Sequence, residues 1–440
     1  MTRKTDAVVQ VIGAGLAGTE AAWQLAQRGV PVRLHEMRPI RLTPAHHSGY
    51  MGELVCSNSL RSDRLENAVG LLKEEMRRLD SVVIAAADAH RVPAGGALAV
   101  DREGYARALT ERVAAHPLIE VVYGEATRIP RDQPAIVAAG PLCQGALAED
   151  IARLVDQDSL YFFDAAAPIV TLESLDMDKV FRQGRYGRGD DYLNCPMDRE
   201  QYTAFYQALI SAETAPVHGF EGTVFEGCMP VEEMAKRGER TLLFGPLKPK
   251  GLTDPRTGRR PFAVVQLRQD DQAGRLYNLV GFQTRLKWPE QRRVFGMIPG
   301  LERAEFSRYG VMHRNTFLRS PGKLDRHYGL IGHEQLHFAG QITGVEGYVE
   351  SAASGMTAGI ALAHKILGQQ PPAFPETTAL FALGNHVANS PSKDFQPMNI
   401  IYGIIPPLPT RIRGKQERNR ALALRALADL DAAIAAGRIG

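Results

Sequence analysis

Two of the four cysteines stand in company that suits chemistry better than packing. Cys56 lies in Met51-Gly52-Glu53-Leu54-Val55-Cys56-Ser57-Asn58-Ser59-Leu60, and Cys228 in Phe225-Glu226-Gly227-Cys228-Met229-Pro230. Unreactive cysteines usually behave as small buried hydrophobes, which cores rarely surround with Ser, Asn and Ser. Each thiol also falls where a helix is expected to begin. Ser57 or Asn58 would cap a helix through Leu65, Leu71, Leu72 and Leu79, and Pro230 fits a first helical turn. A helix N-terminus favours the thiolate, the form that acts as nucleophile or base. Cys143 and Cys195 lack such neighbours and are expected to be structural.

The elements that must hold these thiols are announced by glycine. Val8 to Ile12 is an apolar strand, and Gly13, Gly15 and Gly18 follow it in a G-x-G-x-x-G turn that opens a helical run from Thr19 to Arg28. Gly13 makes the tight turn, Gly15 lets backbone amides approach a pyrophosphate, and Gly18 allows helix to pack closely on sheet. Gly29 ends the helix, and Val30 to Glu36 reads as the second strand, with Glu36 where an acid takes the ribose hydroxyls of an adenine dinucleotide. Val82–Ala86 and Gly95–Val100 read as short strands, Asp101 caps a helix from Arg102 to Ala115, and Leu118–Tyr123 is a further strand. Ala135 to Pro141, an apolar strand ending in glycine, returns the chain to the cofactor domain; that interruption argues for FAD over NAD as the bound dinucleotide. Near the C-terminus Leu336–Gln341 and the glycine-spaced Ile342–Tyr348 precede a helix to Ile366, a layout that sets Gly340, Gly344 and a second helix N-terminus against flavin or pyrophosphate. Gln341 replaces the usual acid there and bonds without charge.

The fold expected is therefore α/β: a Rossmann-like FAD-binding domain of the two-dinucleotide-binding-domain flavoprotein type with a large inserted α+β domain. Its parts are 1–150, an insertion over 151–315 for substrate, and a return over 316–440 ending in a basic helix from Lys415 to Ala436. Hydrophobic content of 44% with 23% charge is that of a soluble globular protein, and no apolar run approaches a membrane span. The start, Met1 to Asp6, leads straight into a strand and leaves no room for a secretory leader; with four cysteines at no pairing or ligand spacing, this predicts reduced thiols, a cytoplasmic location and no metal. A net charge of +3 is slight, so any nucleic-acid surface must come from local clusters. Arg182–Gly189 and Lys248–Arg260 are basic loops that track a phosphate backbone or are simply solvated. Arg285, Lys287, Trp288 and His313 could hold a planar ligand by stacking and charge, or pack domains together.

Taken together, Val11-Ile12-Gly13-Ala14-Gly15-Leu16-Ala17-Gly18, Leu54-Val55-Cys56-Ser57-Asn58-Ser59-Leu60, Phe225 to Pro230, Arg314-Asn315-Thr316 and Ala339-Gly340-Gln341-Ile342-Thr343-Gly344-Val345-Glu346-Gly347-Tyr348 resemble the folate- and FAD-dependent tRNA (uracil-5-)methyltransferases of bacteria over nearly the whole chain. The resemblance implies methylation of uridine 54 in the tRNA T loop, with methylenetetrahydrofolate as carbon donor and FAD reduced by NAD(P)H as reductant. It makes Cys228 the nucleophile and Cys56 the base beside the flavin, with the two roles open to exchange. His313 and Trp288 become candidates for stacking on the folate pterin, and Lys287 and Arg285 for its glutamate tail or RNA phosphate. A plain NAD(P)H-dependent flavin oxidoreductase would leave both thiols unused; a tRNA-binding flavoprotein supporting another uridine modification is the third reading.

Overall fold

The strand Val9–Ile12 is buried at every position, as a strand between two neighbours in a parallel sheet must be. In the computed structural model, which describes residues 7–43, 45–155, 160–165, 167–215, 229–310, 312–390, 395 and 397–439, it is the centre of a five-stranded sheet. Val32–Glu36 and then Ile119–Tyr123 lie on one side, Ala135–Val137 and then Leu336–Phe338 on the other, all parallel. The strand that follows Ala135–Val137 in this sheet thus comes only at Leu336, after a long excursion of the chain. Helices Leu16–Gln27 and Tyr348–Ile366 pack backbone to backbone: a Cβ on Gly355 would sit 2.1 Å from the Ala17 carbonyl oxygen, and one on Gly359 2.7 Å from that of Ala21.

Between those strands the chain builds a second sheet, antiparallel and six-stranded. Its order is Phe181–Arg182, Tyr192–Met197, Ala263–Gln269, Leu276–Leu279, Ile169–Thr171 and Phe306–Arg308. Leu193, Cys195, Val265, Leu267 and Leu279 from this sheet meet Phe205, Phe282 and Phe295 in a core separate from that of the parallel sheet. The backbone of Leu160–Ala165 pairs antiparallel with Met312–Phe317, where the chain enters and leaves this unit.

Two local expectations are corrected. Val82–Ala89 is a helix, not a strand; the Ser81 side chain accepts from the Ile84 amide as N-cap, and three successive alanines favour the helix. A short apolar run does not reveal its period. No helix starts at Ser57 or Asn58: Ser59–Ser62 is a strand paired with Ala97–Val100, and the helix spans Ala68–Arg78 with Asn67 as N-cap. Asn58 instead donates to the Val100 and Gln269 carbonyls, both at 2.9 Å. Asp101 does cap its helix, accepting from the Gly104 amide at 2.6 Å.

Candidate functional site

The glycine turn has the geometry its sequence requires. Gly13 has φ +96, and a Cβ there would lie 2.5 Å from the Ala138 carbonyl oxygen; on Gly18 it would lie 1.7 Å from that of Gly13. A Cβ on Gly15 would meet no protein atom within 4 Å, so the space above it is open. Helix Leu16–Gln27 begins there with no side-chain cap and no acid in its first turn, leaving its amides to an anion. Gly13, Gly15, Glu36, Gly340 and Gln341 all line the cavity that opens at this turn. These features fit the pyrophosphate of an adenine dinucleotide.

Glu36 is buried and already engaged. It accepts from the Ala14 amide at 2.9 Å, and from the amide and guanidinium of Arg38 at 2.8–3.0 Å. Burial alone would raise its carboxyl, but the Arg38 bonds and charge hold it below the usual range. Gly340 has φ +87 and its amide donates to Ser354 Oγ at 2.7 Å. Gly344, at φ +85, lines neither this cavity nor the one that adjoins it; a Cβ there would strike the Phe395 ring at 2.3 Å, so packing explains this glycine.

A second cavity holds Cys56, Ser57, Arg61, Arg268, Asn278 and Gln283, and shares Val55, Pro141, Leu142, Gln341, Tyr348 and Ser351 with the first. The two form one cleft, from the glycine turn to the thiol. Tyr348 Oη, at the junction, accepts from the Cys56 amide at 2.6 Å and the Ser57 amide at 3.2 Å. Three arginines from three elements clamp the loop. Arg102 donates to the Leu54 carbonyl, Arg308 to that of Val55 at 2.5 Å, and Arg268 to Ser57 Oγ at 2.7 Å and Asn58 Oδ1 at 3.1 Å. Asp270 pairs with Arg102 at 2.9 Å. Burial, with Arg102 adding, pushes Arg268 and Arg308 below their ordinary values; against this, Tyr192 and Asp270 pull Arg268 up and Tyr348 pulls Arg308 up, and a thiolate at Cys56 acts on both in the same sense. Guanidinium charge around half-buried Cys56 thus takes the place of the helix N-terminus expected there.

These arginines carried little sequence signal. The one trace is in Ala263–Gln269, a strand buried through Arg268 whose apolar run is broken by polar Gln266 and Arg268 two residues apart, which puts both on one face. Of the remaining predicted residues, Cys228 and the side chain of His313 lie outside the described residues. Arg285 pairs with Glu233 at 2.5 Å and Lys287 with Glu213 at 2.6 Å. Trp288 is 59% exposed and stacks on Tyr309 at 5.1 Å, which stacks in turn on Phe306 at 5.2 Å. None of Arg285, Lys287 or Trp288 lines the cleft. Cys195 is fully buried in the second core, whereas Cys143, its thiol pushed up to about 12 by burial, borders the first cavity. Among the described residues no cluster of three or more His, Cys, Asp or Glu is placed to hold a metal ion, and no helix is long and apolar enough to cross a membrane.

A parallel sheet with a glycine cradle, interrupted by an antiparallel unit that brings arginines to a thiol, defines a dinucleotide-binding flavoprotein fold of the GidA type. Residues 8–370 match the family described as glucose inhibited division protein A. The crystal structure of Aquifex aeolicus GidA in form II is similar in fold, with a TM-score of 0.69 at 14% identity, covering 97% of this chain and 73% of that one. Far closer in sequence is the protein named "Methylenetetrahydrofolate--tRNA-(uracil-5-)-methyltransferase TrmFO" from Desulforamulus reducens, 61% identical over 96% of both chains. Its namesake from Listeria innocua is 59% identical over 95% of this chain and 97% of its own. The chain belongs to the methylenetetrahydrofolate-dependent tRNA (uracil-5-)methyltransferase family.

Proposed function

We propose that this protein methylates C5 of uridine 54 in the T loop of tRNA, taking the carbon from methylenetetrahydrofolate and the reducing electrons from FAD that NAD(P)H has reduced. The observation that carries the reading is the single cleft joining a dinucleotide cradle to an arginine-clamped cysteine. Full-length relatives near 60% identity bearing the methyltransferase name support it.

Uracil C5 is a weak nucleophile until a thiolate adds to C6 and makes the ring an enolate; C5 then bonds the methylene carbon, which the folate nitrogen releases, and a base takes the C5 proton as the thiolate leaves. Cys228 is the nucleophile in this scheme and Cys56 the base. Val231, three residues after Cys228, donates its amide to the carbonyl of Gln283 at 2.7 Å, and Gln283 lines the second cavity. Gly13, Gly15, Gly340 and Gln341 hold the dinucleotide, Gly18 lets the turn that bears Gly13 and Gly15 close, and Glu36 steadies the ribose side through Arg38. When bound, reduced FAD supplies the hydride that completes the methyl group. Arg268 and Arg308 favour a negative charge on Cys56, and Tyr348 fixes the amide of the same residue.

The inserted unit contacts tRNA. Arg185 ties the two basic loops together by donating to the Lys248 and Lys250 carbonyls at 2.6 and 2.9 Å, so their cations share one surface. The exposed Trp288–Tyr309 stack, with the Arg292 guanidinium 5.4 Å from the Tyr309 ring centre, suits an unstacked base better than a pterin deep in the cleft. The protein works in the cytoplasm, where tRNA and reduced folate meet. Nucleoside analysis of a tRNA transcript incubated with the protein, methylenetetrahydrofolate and NAD(P)H tests the assignment. 5-Methyluridine at position 54 is expected, and its persistence at another position when uridine 54 is replaced by cytidine would refute the positional claim.

A further inference from the structure

Among the described residues, Asn278 Nδ2 is a buried side-chain nitrogen without a hydrogen-bond partner, and Asn278 is the one residue with such an atom that lines the second cavity. The residue is only 2% exposed. It sits on the strand Leu276–Leu279, directly across from Arg268 in the antiparallel register, so the two side chains leave the same face of the sheet. Arg268 reaches Ser57 and Asn58, the residues next to Cys56. A buried donor left unmade is unfavourable, and sites that keep one are built to meet a ligand group. The strand itself gains nothing from this amide, since its ladder bonds are made by the backbone.

A primary amide presents a donor and an acceptor side by side. We propose that Asn278 reads the lactam edge of the planar heterocycle that enters the second cavity, donating from Nδ2 to a ring oxo group and accepting at Oδ1 from the adjacent ring N–H. Uracil and the pterin of folate both carry that edge, and both are substrates under the methyltransferase reading on which this inference rests. Asn278 is thereby a specificity residue: a ring bearing an amino group in place of the oxo group would set donor against donor.

The test uses the full FAD-loaded protein with Asn278→Ala and Asn278→Leu, the second keeping the size of the side chain while removing both donor and acceptor. Melting temperature is measured first. Tetrahydrofolate and uridine are then titrated separately and followed by the flavin absorbance, and kcat/KM is determined for methylenetetrahydrofolate and for the tRNA transcript. Both variants are expected to melt with the parent and to lose about tenfold or more toward one ligand, the range of one missing hydrogen bond in a closed site. A loss confined to tetrahydrofolate assigns the edge to pterin; a loss confined to uridine and transcript assigns it to uracil. Unchanged binding of both ligands would overturn the proposal, and so would a large fall in melting temperature in both variants, because the amide would then serve the fold. Should the parent itself form no 5-methyluridine, the methyltransferase reading fails, while the two titrations still decide the role of Asn278.

Discussion

Gly15 and Gly18 stand three residues apart in one turn and answer opposite physical demands. Gly15 leaves space that only a ligand fills, whereas Gly18 has the Gly13 carbonyl where its Cβ would be. Gly15→Ala is expected to leave the FAD-free protein within about 1 kcal/mol of the parent, because alanine is merely a poorer N-cap there. Its flavin content after purification falls, since the methyl group stands in the pyrophosphate's path. Gly18→Ala should lose both flavin and stability. Thermal melting and flavin absorbance of the two variants check this, and equal loss of stability in both would contradict the assignment. Arg268→Lys tests the thiol's clamp. Lysine keeps the charge but not the fork that reaches Ser57 and Asn58 together, so methyl transfer is expected to drop about tenfold or more with FAD content unchanged. Activity equal to the parent would show that charge alone suffices.

Elements matter here chiefly through how closely they approach. Helices Leu16–Gln27 and Tyr348–Ile366 meet at Gly355 and Gly359, and their N-termini both reach the cleft through Gly15 and Tyr348. Gly355→Val would force these backbones apart and is expected to cost about 1–3 kcal/mol, read as a lower urea midpoint together with weaker flavin retention. The first helix and its turn were legible because glycine spacing, strand and terminal acid coincide within a few tens of residues. The second helix could be read as a helix, but not its partner, since Gly355 and Gly359 gain meaning only across the fold. The Cys56 loop shows the same boundary. Its polar neighbours marked it as unusual, yet what surrounds it are Arg102, Arg268 and Arg308, each from a different element and far away in sequence. Local propensity then misassigned the stretch after it, where pairing of Ser59–Ser62 with Ala97–Val100 decides the conformation.

For the molecule as a whole, two buried acids set a pH dependence. Burial raises Glu20 to about 7 and Glu75 to about 8, despite the hydrogen bonds each accepts. Both stay protonated in the fold at pH values where the unfolded chain has ionised them, so their contribution is fully present below about pH 4.5 and is lost as pH rises toward 8. Glu75 accepts the Ala379 and Leu380 amides at 2.7 and 2.9 Å, one on each oxygen. Glu75→Gln gives up one of these acceptors but cannot ionise. Its melting temperature should lie below the parent's at pH 5 and close the gap by pH 8.5, a swing on the order of 3 kcal/mol; a constant difference across that range would contradict the burial argument. The central claim, that one cleft brings a folate carbon to uracil beside a clamped thiol, is tested most directly by tracing the carbon. The parent, Cys56→Ala and Cys228→Ala would each be given tRNA transcript, NAD(P)H and methylenetetrahydrofolate with a labelled methylene. The label is expected in 5-methyluridine with the parent and absent with either variant, while both variants keep their FAD and their tRNA binding. An unlabelled product, or full transfer by Cys56→Ala, would contradict the account.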